Sequence, residues 1–495
     1  MQRVLVRVLK WGAILLAGVA FLASIFIFPR RVNRAGFEDQ DYFKHDIAAI
    51  DSDAGWNNFA PSPGPLNVGW GVAKITPPKP TPMAGYGDRY GKISQGVHDD
   101  VYAKAVAFSD GTDTAVLIGC DLLLVDHTLA EKIREQVAAK TPLKARQLFF
   151  TASHSHSGPG GFAPGFMNER AAFGPFDPAL PDYLAMAFAE AVTNAYRTMS
   201  PASVAHGSVN AEDCIRNRTR DAPVDPELSF MIVQKEDGAR CYVTSFSAHP
   251  TVMGPGNLLL SADYPGYLQR YIEKETGATC VYLGGAVGSM GNRVPAAALK
   301  ALEGASATPD DPFLRCQALG ETLARRVLDG SANPDSRRAV DVASIGLPIE
   351  LPPPAWRVVG MFSRGLFGPE WGMNPFVMRA LGVSSSGWMS AVRLGDVVLV
   401  NAPGDLSGEI SVVWKQWAAG HQLNLWTSGF SGGYAGYISP DKYFDEVYDK
   451  DRKGELAYET GFMSLAGPHQ EAFFSALMQR MVQDLTPTVG TTPAR

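Results

Sequence analysis

The chain has no CxxC pair, no run of clustered Lys and Arg, no internal repeat and no low-complexity tract. Each absence removes a class of function. Without CxxC there is neither a zinc ribbon nor a thioredoxin-type redox pair. Without a basic patch, and with a net charge of -6, nucleic acid is not an expected partner, because a phosphate backbone demands dense positive charge. Cysteine is scarce: Cys120, Cys214, Cys241, Cys280 and Cys316 are the five in 495 residues. Their odd number leaves at least one thiol unpaired, and small buried hydrophobes are expected rather than a disulfide framework. What is present is the balance of a folded globular protein, 46% hydrophobic and 19% charged residues, long enough to bury a large core. Fifty glycines and 35 prolines suit many tight turns rather than a long helical bundle.

The amino terminus carries one long uncharged run, Trp11 to Phe28, preceded by Arg3, Arg7 and Lys10 and followed by Arg30, Arg31 and Arg34. About 20 such residues span a bilayer as a helix. A cleaved signal peptide and an uncleaved anchor both fit. The run is long for a signal core and its exit lacks a clear A-x-A site, so the anchor is preferred. Residues 1–31 therefore read as a single-pass transmembrane segment in the cell membrane, with the rest extracytoplasmic. Basic residues flank both ends, so the orientation signal is weak. Residues 32–66 read as a juxtamembrane linker with one short helix, and 67–490 as the folded domain.

Within that domain strand-like and helix-like stretches alternate. Apolar runs such as Thr114 to Asp121 and Gln147 to Ala152 read as buried strands, and Pro181 to Met199 as an amphipathic helix. The mixture argues α/β: mixed sheets flanked by helices in one large catalytic domain. Leu351 to Leu381 stands apart. It mixes Trp356, Phe362, Phe367, Trp371 and Phe376 with Arg357, Arg364 and Arg379 without a clean period. It reads either as an insertion touching lipid or lining an apolar mouth, or as a loop packed on the core.

Candidate chemistry lies at strand ends. His154 and His156 form His-x-His after FFTAS and run into Ser157-Gly-Pro-Gly-Gly. Residues two apart in extended backbone share a face, so both imidazoles can address one site. His249 ends another strand in FSAHP, a weak signal alone. Asp405 follows the strand VVLVN in APGD, where it also suits a helix N-cap. Tyr434 and Tyr437 follow NLWTS, and Arg216, Arg218 and Arg220 lie in CIRNRTRD. Histidines with a carboxylate and a tyrosine suit zinc, with a position left open for water. Zinc lowers the pKa of its water to about 7 and polarises a carbonyl, while an arginine or histidine can stabilise an oxyanion.

In chain order, SHSHSGPGGF, SFSAHP, APGD and GGYAGYISPDKY resemble the neutral ceramidase family. MAGYGDRYGK, GVHDDVYAKAVAFSDG, RNRT, SADYPGYL and AGPHQEAF extend the resemblance from about Val68 to the carboxyl end. It implies hydrolysis of the ceramide amide to sphingosine and fatty acid with one Zn2+ per chain. It also implies His154, His249, Asp405 and Tyr437 as metal ligands, with His156, Arg218 and Tyr437 holding the substrate amide or the oxyanion. Asp405 stands where the family has Glu, so Glu409 is an alternative ligand. The family's functional serine falls at Gly291, and Ser289 in GGAVGSMGNR is its candidate replacement. The family's carboxy-terminal β-sandwich is not expected here.

The expected activity is therefore zinc-dependent hydrolysis of an N-acyl sphingoid lipid, with a membrane contact through the amino-terminal helix. Two alternatives remain: a zinc amidase or esterase for another N-acyl lipid or envelope amide, and a non-catalytic envelope lipid-binding protein that keeps the fold. A barrel-type amidohydrolase lacks the eight βα units it would need.

Overall fold

The computed structural model describes residues 2–52, 63–302, 311–332, 335–357, 367–368, 370–448 and 457–486. Its centre is an eight-stranded sheet in the spatial order Thr279–Gly284, Arg240–Phe246, Glu227–Lys235, Ser200–Asn210, Asn67–Lys74, Tyr102–Ser109, Thr114–Cys120, Leu148–Ala152. Neighbours run antiparallel except at the two edges. There Thr279–Gly284 runs parallel to Arg240–Phe246, and Leu148–Ala152 parallel to Thr114–Cys120. The sheet curls until its edges meet, with Thr151 Oγ1 donating to the Gly284 carbonyl at 3.2 Å. A second sheet has the order Val342–Glu350, Ser386–Leu394, Val397–Asn401, Asn424–Ser428, with its last pair parallel.

Side-chain alternation explains the stacking. In Thr114–Cys120, Val116 and Ile118 join a core under the helices His127–Ala138 and Ala179–Arg197. Ala115 and Leu117 face the other way, into a core shared with Val342, Val392, Leu399 and Trp426 of the second sheet. Both faces are covered, which is why this strand reads as a continuous apolar run. The helices Asp263–Thr276 and Pro312–Gly330 close the rest of the large sheet's outer face. Gly408–Ala419 and Gln470–Asp484 cover the second sheet. The result is a helix–sheet–sheet–helix sandwich of mixed α/β type. All five cysteines are buried and free.

Several expectations change. The strands Ser200–Asn210 and Val342–Glu350 add to the expected elements, and the helix Gly408–Ala419 starts beyond the cap position offered at Asp405. The stretch read as linker holds the short helix expected there, Asp41–Ser52, but it also places Phe37 and Ile50 in the core of the second sheet. Of the Leu351 to Leu381 segment, residues 358–366 and 369, among them Met361, Phe362, Arg364 and Leu366, lie outside the described residues. The amino-terminal helix Gln2–Phe26 includes the apolar window Leu9–Phe26, none of it buried. By length and composition it suits a membrane span or a signal sequence.

Candidate metal centre and active site

The site lies at the carboxyl ends of the parallel strand pairs, where α/β sheets commonly hold ligands. Leu148–Ala152 leads to His154 and His156, Arg240–Phe246 to His249, Val397–Asn401 to Asp405, and Asn424–Ser428 to Tyr434 and Tyr437. The curl of the large sheet and the stacking of the second bring these four ends together. A short parallel bridge then sets Asp405 opposite Tyr437.

His154 takes a left-handed backbone conformation, φ 64°, uncommon for a residue with a side chain and frequent at functional sites. Its ring stacks on Phe430, centroids 4.0 Å apart. Its Nδ1 lies 2.6 Å from the Leu123 carbonyl. A carbonyl only accepts, so Nδ1 carries the proton and Nε2 is left bare. The same logic applies to His249, whose Nδ1 donates to the Val287 carbonyl at 2.7 Å. His156 is half-buried and sets its Nε2 3.1 Å from that of His154. Its ring rests over Gly85, φ 104°, where an added Cβ would come within 2.6 Å of the imidazole. Only glycine permits that approach.

Asp405 is 1% exposed. Its Oδ2 accepts from the Tyr434 hydroxyl at 2.6 Å. Its Oδ1 stands 3.6 Å from His154 Nε2 and 3.9 Å from His249 Nε2. Among the described residues, that Oδ1 and His249 Nε2 are buried without a hydrogen-bond partner. Zinc bonds of ~2.0–2.1 Å in a tetrahedron separate ligand atoms by roughly 3.3 Å. The observed spacings are close to that figure, and ligand atoms of His154, His156 and His249 all lie within 4.8 Å of one another. The residues present fit a metal ion. Burial pushes the His154 imidazole down to about 3, and His156 and His249 well below the ordinary range. All three are thus held in the neutral form that binds metal. Burial also raises the Asp405 carboxyl to about 7, against the Tyr434 hydrogen bond and the nearby Arg218.

Arg218 enters from the loop after the strand Ile215–Asn217. Its Nη2 donates to Tyr437 Oη at 2.7 Å and to the Gly288 carbonyl at 3.0 Å. Burial opposes its charge, but Tyr437, Glu459 and Asp405 outweigh that and keep it protonated.

Glu409 does not join the centre. Its carboxylate accepts from Asn217 and Tyr443 at 3.2 and 3.0 Å and faces Arg220 and Lys442. Asp405 is not a helix cap either, because Ser407 caps Gly408–Ala419. Ser289 is fully buried, and its hydroxyl lies 2.6 Å from that of Ser407. That pairing occupies its hydroxyl within the protein. Its carbonyl accepts from the Arg218 backbone N–H at 2.9 Å. Sequence reasoning missed Tyr458, whose ring is 5.6 Å from that of Tyr437. It also missed Glu459, 3.8 Å from Arg218 and buried, with neither carboxyl oxygen hydrogen-bonded among the described residues. No local signal marks either residue, and six residues separate the pair from the AGPH motif.

Residues 66–292 match the family described as "Neutral/alkaline non-lysosomal ceramidase, N-terminal". A neutral ceramidase of Mycobacterium tuberculosis is 27% identical over 233 residues, 43% of this chain and 36% of that protein. One of Pseudomonas aeruginosa is 24% identical over 229 residues, 43% of this chain and 34% of that protein. The chain thus aligns with about a third of each relative's length. The fold is shared more widely. The crystal structure of the Pseudomonas aeruginosa neutral ceramidase superposes with a TM-score of 0.68 at 17% identity, covering 88% of this chain and 77% of that one. Residues 66–292 thus carry the neutral/alkaline ceramidase signature, and the fold over most of the chain is the one that the Pseudomonas aeruginosa structure shows.

Proposed function

We propose that the chain is a membrane-anchored amidase that hydrolyses an N-acyl sphingoid lipid, ceramide to sphingosine and fatty acid, at a centre holding one zinc ion outside the cytoplasm. The observation that carries this reading is the convergence of His249 Nε2 and Asp405 Oδ1, buried and unpaired, upon the bare Nε2 of His154. Those three residues and the Tyr437 phenol would hold the ion. Zinc bound there supplies Lewis acidity toward the amide carbonyl and acidifies a water.

The chain's own groups do the rest. The Arg218 guanidinium and the Tyr437 phenol form a fixed pair aimed where negative charge grows on the amide oxygen. Such preorganised donors stabilise the developing oxyanion. His156, neutral and half-buried beside His154, orients the amide from the opposite side. Leu123 and Val287 carbonyls fix the ring orientations, so the site needs little rearrangement to react. The lipid character of the substrate rests on the family's relatives, all called neutral ceramidases, and on the unburied apolar helix at the amino terminus.

One observation favours a second reading, a zinc amidase for another N-acyl lipid. With Ser289 turned to Ser407 and glycine at 291, no hydroxyl stands where the family places its serine. The deciding experiment is turnover of fluorescent ceramide beside N-acyl amines of equal chain length, with chelator and after zinc re-addition. Loss with chelator and recovery with zinc, strongest on ceramide, supports the first reading. Recovery confined to other amides supports the second, and activity indifferent to chelator sinks both.

A further inference from the structure

The end of the amino-terminal helix is not free. Asn374 Nδ2 donates to the carbonyls of Ile25 and Phe28 at 2.9 and 3.0 Å, satisfying acceptors that a helix end leaves open. Arg30 and Arg31 pair antiparallel with Gly372 and Trp371. Phe26 packs edge-on against Phe376 at 5.0 Å, and the Arg31 guanidinium sits over Trp371 at 5.5 Å. The helix is therefore clamped to the carboxyl half of the aromatic segment read from the sequence as unusual.

This clamp carries exposed apolar rings. Phe28 is 48% exposed and Phe376 55%, on the same side as the unburied apolar helix. Phe166, 57% exposed, precedes Met167, whose N–H donates to the Leu381 carbonyl at the end of the helix that carries Phe376. Behind them sits a small cluster of Trp356 and Met378, packed with Phe462 and separate from the main cores. Phe462 stacks near Tyr458, and Tyr458 touches Tyr437. A run of ring contacts thus links the helix end to Tyr437, with Tyr458, 58% exposed, marking where the site meets solvent.

We propose that the helix end, Trp371 and Phe376 form one rigid platform that rests in the headgroup layer of a phospholipid bilayer and turns the mouth of the site toward that surface. This rests on the membrane-anchored lipid-amidase reading above. The occupant follows from continuity: the helix Leu9–Phe26 is a bilayer-length apolar segment, so residues clamped to its end lie at interface depth. Aromatic rings and arginines are the side chains that this layer favours. Arg30 and Arg31 are exposed there.

The test uses the full chain in nanodiscs of phosphatidylcholine and phosphatidylglycerol. All five native cysteines are buried, so a fluorophore can be placed selectively on Phe376→Cys and, as control, on Met186→Cys, an exposed position of Ala179–Arg197. Spin-labelled lipid should quench the label at 376 strongly and the label at 186 no more than a water-soluble dye. Equal quenching at the two positions overturns the proposal. As a second readout, Phe376→Ser should lower turnover of long-chain ceramide in the bilayer by about tenfold, the scale of losing one buried aromatic ring. A short-chain amide dispersed in water should be turned over as before. Equal loss on both substrates, or none on either, also counts against it. Quenching does not depend on turnover, so failure of the platform and failure of the amidase reading are distinguishable.

Discussion

The Tyr434 hydroxyl donates to Oδ2 of Asp405 at 2.6 Å, and that one bond decides which carboxylate oxygen faces the histidines. Oδ1 is left toward His154 and His249. Tyr434→Phe keeps the ring and removes the donor. Partners of this kind are typically worth about 10–100-fold in metal affinity. The variant should fold, bind zinc that much more weakly in a competitive chelator titration, and regain activity at high zinc. Unchanged affinity would mean that the bond does not orient the ligand.

Asp405 is the ligand that the sequence favours and Glu409 its alternative, and the two carboxylates stand in different surroundings. Asp405→Asn removes the charge at the centre without changing its shape, so the purified variant should carry little zinc. Glu409→Gln alters a carboxylate held by Asn217, Tyr443 and two cations. It should retain stoichiometric zinc and lose on the order of 1–3 kcal/mol of stability from its disturbed partners. Metal analysis by mass spectrometry and a denaturant melt check the pair. Zinc retained by Asp405→Asn and lost by Glu409→Gln would reverse the assignment.

Glu459 links the site to pH. Burial raises its carboxyl to about 8 against the pull of Arg218 and Arg220. The ordinary value is 4.5, so the folded state holds the proton more tightly than the unfolded chain. Its contribution to stability is complete below 4.5 and is lost as pH rises through 8. Glu459→Gln mimics the protonated form at every pH. In metal-free protein the two should melt alike near about pH 5, and the variant should be the more stable near about pH 9, by an amount on the order of a few kcal/mol at ~1.4 kcal/mol per pKa unit. Parallel melting curves across that range would show that the carboxyl titrates normally.

How legible the site was from sequence depended on whether its residues announce themselves locally. His154 and His156 announce themselves as His-x-His at a strand end with glycines after them, although the left-handed backbone of His154, φ 64°, replaces the extended geometry expected to align them. His249 and Asp405 do not. Their meeting depends on the curl that brings Thr151 to Gly284 and on the stacking of the second sheet, both long-range facts. Buried strands such as Thr114–Cys120 were visible because both faces are apolar. Ser200–Asn210 was not, because it is partly exposed along much of its length and its Ser, Pro and Gly residues mimic a loop. Glu459 escaped for a different reason. Nothing in a lone Glu tells whether it will be solvated or buried beside Arg218.

Glycine at 291 is the departure with the most specific consequence. It lies in the short strand Met290–Asn292, opposite Arg216 and bridged to His249, in a backbone conformation open to any residue. A Cβ there would meet Arg218 Cβ at 3.3 Å and Arg216 Nε at 3.4 Å. Arg216 is exposed and can swing aside, but Arg218 is held by Gly288 and Tyr437 and must give slightly, so Gly291→Ser should cost about 1 kcal/mol. Its hydroxyl would stand beside Arg218, where the family's motif places a serine. One added hydrogen bond to a sphingoid hydroxyl, at ~0.5–1.5 kcal/mol, corresponds to roughly two- to tenfold. The ratio of kcat/KM for ceramide over an N-acyl amine lacking that hydroxyl should rise by this factor, with zinc content unchanged. If both rates move together, the side chain at 291 acts on Arg218 rather than on the substrate. If ceramide alone worsens, the glycine leaves room for a bulkier headgroup, which would point to the second reading of the substrate.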